Sequence, residues 1–88
     1  MATITIGNKL GLHARPAMLF VECASKFSAD ISVRRADAPE KVDGKSIMQM
    51  MMLAATQGTD LEIAACGDDA NDAVATLVAL VESRFHED

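Results

Sequence analysis

The segment Thr3-Ile4-Thr5-Ile6 alternates polar and apolar positions, which predicts a strand with one face buried. Gly7-Asn8-Lys9-Leu10-Gly11 breaks that period with two glycines and predicts a loop. From Ala14 to about Phe27 the period lengthens: Ala17, Phe20, Val21, Ala24 and Phe27 recur at three and four residues and line one helical face. Pro16 suits the start of that helix, where an amide has no intrahelical acceptor to lose. Asp30 to Arg35 alternates again, with Ile31 and Val33 inward, as a second strand. Ala36-Asp37-Ala38-Pro39 predicts a turn and Glu40 to Asp43 a short third strand that closes a hairpin. Ser46 is a good N-cap for a helix running to about Thr56, with Gly58 as its left-handed terminator. Asp60 to Ala64 predicts a fourth strand. Gly67-Asp68-Asp69 supplies a turn and cap for a last helix over about Ala70 to Arg84, with Ala73, Leu77, Leu80 and Val81 on its core side.

The predicted order is βαββαβα. Four half-apolar strands cannot hide their inner faces alone, and three amphipathic helices on one side can cover them. The expected fold class is therefore α+β: an open-faced sandwich, its mixed or antiparallel four-stranded sheet covered on one side by three helices. A chain of 88 residues fits one domain, residues 1–88, and leaves no room for a second.

Composition narrows the function. The formal net charge of −5 argues against nucleic acid as a partner and against an anionic membrane surface, both of which attract basic proteins. The longest apolar run, Ile47 to Thr56, is too short to span a bilayer, and the N-terminus lacks the pattern of a signal peptide. Cys23 and Cys66 form no metal-ligand spacing and are expected to be buried, reduced and small apolar in character, which fits the cytoplasm. No metal and no cofactor is implied.

The chemistry concentrates at Gly11-Leu12-His13-Ala14-Arg15-Pro16-Ala17. His13 falls just before the first helical residue, where exposed amides carry partial positive charge and bind anions. Arg15 adds a forked donor suited to phosphate. A phosphoryl group on the imidazole would lie among those donors, so His13 is a candidate nucleophile beside an anion site. The alternative from spacing alone is that His13 merely caps the helix and Arg15 is a solvated charge. His86, in the acidic tail, is expected to be a solvated terminal residue.

A second informative segment is Ser46-Ile47-Met48-Gln49-Met50-Met51-Met52-Leu53-Ala54-Ala55, apolar nearly all round. Met50, Leu53 and Ala54 share one face, and Ile47, Met48 and Met51 another. A short helix on one sheet cannot bury both, so one face should stay exposed as a methionine-rich binding patch; a methionine-filled core is the competing possibility. Phosphate on Ser46 would be tolerated by the helix dipole and would place negative charge beside that patch.

Taken with Lys45-Ser46-Ile47-Met48, Thr56-Gln57-Gly58-Thr59 and the final helix, the Gly-Leu-His-Ala-Arg-Pro-Ala segment resembles the HPr family, the histidine-containing phosphocarriers of the bacterial phosphoenolpyruvate-dependent phosphotransferase system (PTS). The resemblance spans nearly the whole chain. It implies that Enzyme I, charged from phosphoenolpyruvate, phosphorylates Nδ1 of His13 and that the group then passes to a histidine on a IIA protein or domain. It implies that Arg15 assists the phosphate and that Ile47, Met48 and Met51, with Met18 beside them, form the docking patch. Ser46 matches the serine that a dedicated kinase, reversed by a phosphorylase, modifies in some bacteria. The protein is then a monomeric cytoplasmic carrier and not a catalyst by itself. Asn8-Lys9-Leu10-Gly11, Ala17-Met18 and the ending Phe85-His86-Glu87-Asp88 look like the nitrogen-related NPr branch, as opposed to the sugar-transport branch, although single general-purpose members share these features.

Three positions depart from the common family pattern. Glu22 and Gln49 stand where many sugar-system members have basic residues, so steering toward acidic partners should be weaker and apolar contact should carry more. Leu10 replaces a polar residue often found near the active histidine. The reading from another class is a regulatory interaction protein whose binding is switched by phosphorylation at His13 or Ser46. A hydrolase or metal enzyme is disfavoured, since no paired carboxylate, ligand cluster or nucleophile–base–orienter set is visible.

Overall fold

A computed structural model describes residues 1–86 of the chain. Four strands, β1 (Ala2–Thr5), β2 (Asp30–Arg35), β3 (Val42–Asp43) and β4 (Asp60–Cys66), form one sheet in the order β1-β4-β2-β3, antiparallel at every pairing. Three helices, α1 (Ala14–Ala24), α2 (Ile47–Met52) and α3 (Ala70–Glu82), complete the predicted order. The expectation for the His86 side chain lies outside the described residues.

The strand alternation sets the two faces of the sheet. Ile31 and Val33 of β2 and Leu61 and Ile63 of β4 point inward and are buried, together with Phe20 of α1 and Leu77 and Val81 of α3. On the other face Arg34 stands directly opposite Glu62 across the β2–β4 pair, and their side chains form an ion pair of 2.6 Å. Leu80, expected in the core, is only partly buried against it.

Several predicted boundaries move, each with a specific contact or backbone conformation behind it. β1 pairs with β4 only over Ala2–Thr5, because Ile6 turns its backbone to the loop after α2, donating to Thr59 O and accepting from Gly58 N. α1 stops at Ala24, and Phe27 follows in a tightened turn whose carbonyl accepts from Lys45 Nζ at 2.8 Å. β3 shrinks to Val42–Asp43, and the Arg34 guanidinium holds the preceding turn through Ala38 O at 2.7 Å. α2 ends at Met52, four residues before the predicted Thr56. Its terminator is Ala54, in the left-handed region at φ 51°, and not Gly58, which serves the following Thr56–Thr59 turn. Asp69 precedes α3 as predicted but does not cap it. Its carboxylate accepts from the Ser28 and Ala29 amides at 2.8 Å each, pinning the α1–β2 loop, and these bonds hold its pKa below the usual carboxylate value.

The end of α3 and the cysteines also depart from expectation. The helix stops at Glu82; Arg84 and Phe85 both adopt left-handed backbone, at φ 56° and 54°, and fold the Phe85 ring back into the core. Cys23 is half-buried, its thiol pKa raised by burial, and Cys66 is exposed at the open end of β4. Both are free thiols, but only one is even partly the small core residue predicted.

Two stability measurements follow from this backbone. Phe85→Ala removes a fully enclosed ring and should lower unfolding free energy by about 3 kcal/mol in urea titration. Ala54→Gly relieves a left-handed alanine and should raise it by about 1 kcal/mol, seen as a higher urea midpoint at unchanged slope.

Candidate functional site

His13 occupies the N-cap of α1 with extended backbone, φ −80° and ψ −171°. Its carbonyl accepts the Ala17 amide at 3.0 Å, the first intrahelical bond. Its side chain does not cap the helix, which removes the simplest structural reason for a histidine at this position. The ring is partly exposed, and Arg15, the second residue of α1, is exposed. The Ala14 and Arg15 amides lie at the helix start, where helical geometry provides no acceptor, and the first turn holds no acidic side chain. An anion held on the ring would thus meet backbone donors and a guanidinium, with no carboxylate from that turn opposing it.

The loop before His13 is fastened on two sides. Gly11, at φ +68°, lies so close to the chain after α2 that a Cβ there would collide with the Ala55 carbonyl oxygen. The Leu12 amide donates to that same oxygen at 2.8 Å, and the Leu12 side chain is buried. Behind the contact, Arg35 Nη1 donates to Leu53 O at 3.2 Å and Ala54 O at 3.3 Å, taking up carbonyls that the end of α2 leaves open. Arg35 is itself held by Asp37 through a 3.0 Å ion pair. Neither Arg35 nor the left-handed Ala54 was singled out by the sequence. No local signal marks them, because their roles depend on strands distant in sequence.

α2 packs against α1 and divides its apolar residues sharply. Met50 is 0% exposed and Leu53 is buried, whereas Met48 is 80% exposed and Ile47 and Met51 are also at the surface. Both outcomes weighed for the methionines therefore occur in one helix, on different faces. Ala54, expected on the buried face, is exposed because the helix ends before it. Met18 is exposed on α1. Met52 and Leu10 are also large, exposed and apolar, at 76% and 73%. Sequence reading assigned neither to the patch, although Met52 lies four residues from Met48 and so on the same side of the helix. Ser46 is the N-cap of α2, its Oγ accepting the Gln49 amide at 3.3 Å. Gln49 in turn accepts the Asp43 amide through Oε1 at 2.8 Å, so it braces the β3–α2 connection.

Among the described residues, no group of three His, Cys, Asp or Glu side chains is placed to hold a metal ion, and no helix is long and apolar enough to cross a membrane.

Known proteins with the same features cluster in one family. The family model PTS-HPr, described as the PTS HPr component phosphorylation site, matches residues 1–83. The chain is 51% identical over 85 residues to the phosphocarrier protein HPr of Pseudomonas putida, covering 96% of this chain and 92% of that one. It is 37% identical over 86 residues to the phosphocarrier protein NPr of Escherichia coli K12, covering 98% and 94%. Among solved structures, HPr-C-His from Thermoanaerobacter tengcongensis superimposes with a TM-score of 0.92 at 50% identity, covering 99% of this chain and 96% of that one.

Proposed function

Because the chain belongs to the HPr family of PTS phosphocarriers, we propose that it accepts a phosphoryl group from Enzyme I on His13 and delivers it to a IIA protein or domain. The observation that carries this reading is the placement of His13: a partly exposed imidazole at the N-cap of α1, beside Arg15, with no acidic residue in the first turn. The ring Nδ1 forms a bond to phosphorus as the bond to the Enzyme I donor atom breaks. The first-turn amides and Arg15 then share the charge of the bound group. In the second transfer the N–P bond at His13 breaks as the IIA histidine bonds the same phosphorus. The carrier is regenerated, and the phosphohistidine is an intermediate that the two partner proteins make and consume.

In this reading Met18, Ile47, Met48 and Met51 dock both partners in turn. Methionine suits that task, since its unbranched, polarisable side chain adapts to more than one surface. With Glu22 and Gln49 exposed where many relatives carry bases, apolar contact supplies more of the affinity than charge steering does. The protein acts as a single-domain, cytoplasmic monomer.

A second reading adds regulation at Ser46. A phosphate on its Oγ would bring nearly two negative charges against the exposed Ile47–Met48 edge and weaken apolar docking there. Partner choice would then follow the phosphorylation state of Ser46 or His13.

Incubation with phosphoenolpyruvate, Mg²⁺ and Enzyme I should add one acid-labile phosphate by mass spectrometry, and His13→Ala should add none; an unmodified wild-type chain sinks the carrier reading. Met48→Glu should raise the KM for Enzyme I phosphorylation about tenfold, equivalent to about 1.4 kcal/mol of docking, at an unchanged unfolding midpoint. Unfolding of that variant would instead place Met48 in the packing of the domain.

A further inference from the structure

Among the described residues Asn8 is the one polar side chain that is completely buried, at 0% exposure. Burying an amide is costly unless its hydrogen bonds are replaced, so its retention inside this loop calls for a local partner. The Nδ2 group donates to Gly11 O at 2.7 Å, and the Gly11 amide donates back to Asn8 O at 3.1 Å. These reciprocal bonds close a four-residue turn over Asn8–Gly11. Lys9 and Leu10, the residues inside the turn, are exposed and lend it no buried side chain.

The turn ends where the site begins. Gly11 presses on Ala55, Leu12 bonds the Ala55 carbonyl, and His13 is the next residue. The carbonyl that Asn8 holds belongs to the peptide whose other half is the Leu12 amide. Fixing one end of that peptide plane fixes the direction of the other, because the peptide unit is planar. We propose that Asn8 is a positioning residue for the phosphoryl acceptor: through the Gly11–Leu12 peptide it sets the pose of His13 at the helix start. The proposal rests on the reading of His13 as that acceptor. It also explains how the site tolerates Leu10, since a buried amide from beneath the turn sets the geometry that no polar side chain at position 10 supplies.

Removing the Asn8 amide should leave docking intact and slow the transfer step. Asn8→Ala, phosphorylated by Enzyme I and phosphoenolpyruvate, should lose about ten- to a hundredfold in kcat with KM within about twofold, the pattern expected when reacting atoms are displaced by a fraction of an ångström to an ångström. The Leu12 amide should exchange faster with deuterium in the same variant, because its bond to Ala55 O is no longer held from the Gly11 side. Leu77→Ala, a truncation in the α3 core, gives the comparison for stability loss alone and should keep kcat at a temperature where both variants are folded. If Asn8→Ala does not fold, Asn8→Ser, which keeps a hydroxyl donor in less space, decides on the same readouts. A wild-type kcat, or a loss that Leu77→Ala shares, overturns the proposal. A wild-type chain that takes no phosphate while the Asn8 variant still shows faster Leu12 exchange overturns the acceptor reading and leaves Asn8 as the anchor of this peptide.

Discussion

The hydrogen bond from the Leu12 amide to the Ala55 carbonyl joins the two segments on which the site is built. One segment leads into α1 and carries His13; the other leaves α2, whose exposed face carries the methionines. Neither is regular structure, and both belong to the chain as it leaves or enters a helix, where backbone groups lack internal partners. Joining them satisfies those groups and fixes the two helices relative to each other at the end that matters. The left-handed Gly11 and Ala54 are the local cost of that junction. Arg35 offsets part of it by holding the Leu53 and Ala54 carbonyls. A change at Gly11 would act on the site as well as on stability, because any Cβ there meets the Ala55 oxygen.

The length of α2 follows from the same junction and determines its surface. Had the helix run to Thr56, its residues would have completed another turn and Ala54 would have lain on the buried side. Stopping at Met52 leaves Met50 as its single buried residue and keeps Met48, Met51 and Met52 outside. A helix of six residues has little stability of its own. It is held by the Ser46 cap at one end, by Arg35 at the other, and by Met50 and Leu53 beneath. The apolar patch therefore rests on a scaffold that does not need the patch residues for its own packing, and this leaves them available for contact with another surface.

The sheet was legible in the sequence because its signal is local: Asp30–Arg35 matches the observed β2, and the alternation at Leu61 and Ile63 places both residues in the core. His13 at the start of α1 was legible for the same reason, since the helical period begins just after it. What could not be read is set by residues far apart in the chain. Ala54 terminates α2 because Arg35 and Leu12 take the carbonyls around it, whereas Gly58 carried the stronger local signal for a helix end. Asp69 looks like a cap for its own helix and instead serves amides 40 and 41 residues earlier. Phe85 stands in an acidic tail, yet two left-handed residues send it inward. Asn8 reads as one more polar loop residue, and only its burial separates it from the exposed Lys9 beside it.

A carrier of phosphate that is itself acidic raises an electrostatic question that the arrangement of its charges answers. The formal net charge is −5, so the far field of the protein opposes an incoming anion. That field is screened over about 8 Å at physiological salt, whereas a group on the His13 ring would lie within a few ångströms of the first-turn donors. At that range the identity of the nearest groups outweighs the sum over the whole chain. The first turn of α1 has Arg15 and no carboxylate. Several acidic groups are engaged elsewhere: Glu62 with Arg34 on the open sheet face, Asp37 with Arg35 at the hairpin, and Asp69 with the α1–β2 loop. The net charge can thus favour solubility and restrain unselective binding while the helix start remains locally receptive to an anion. A phosphate site there would depend on where the carboxylates are absent as much as on where the arginine stands.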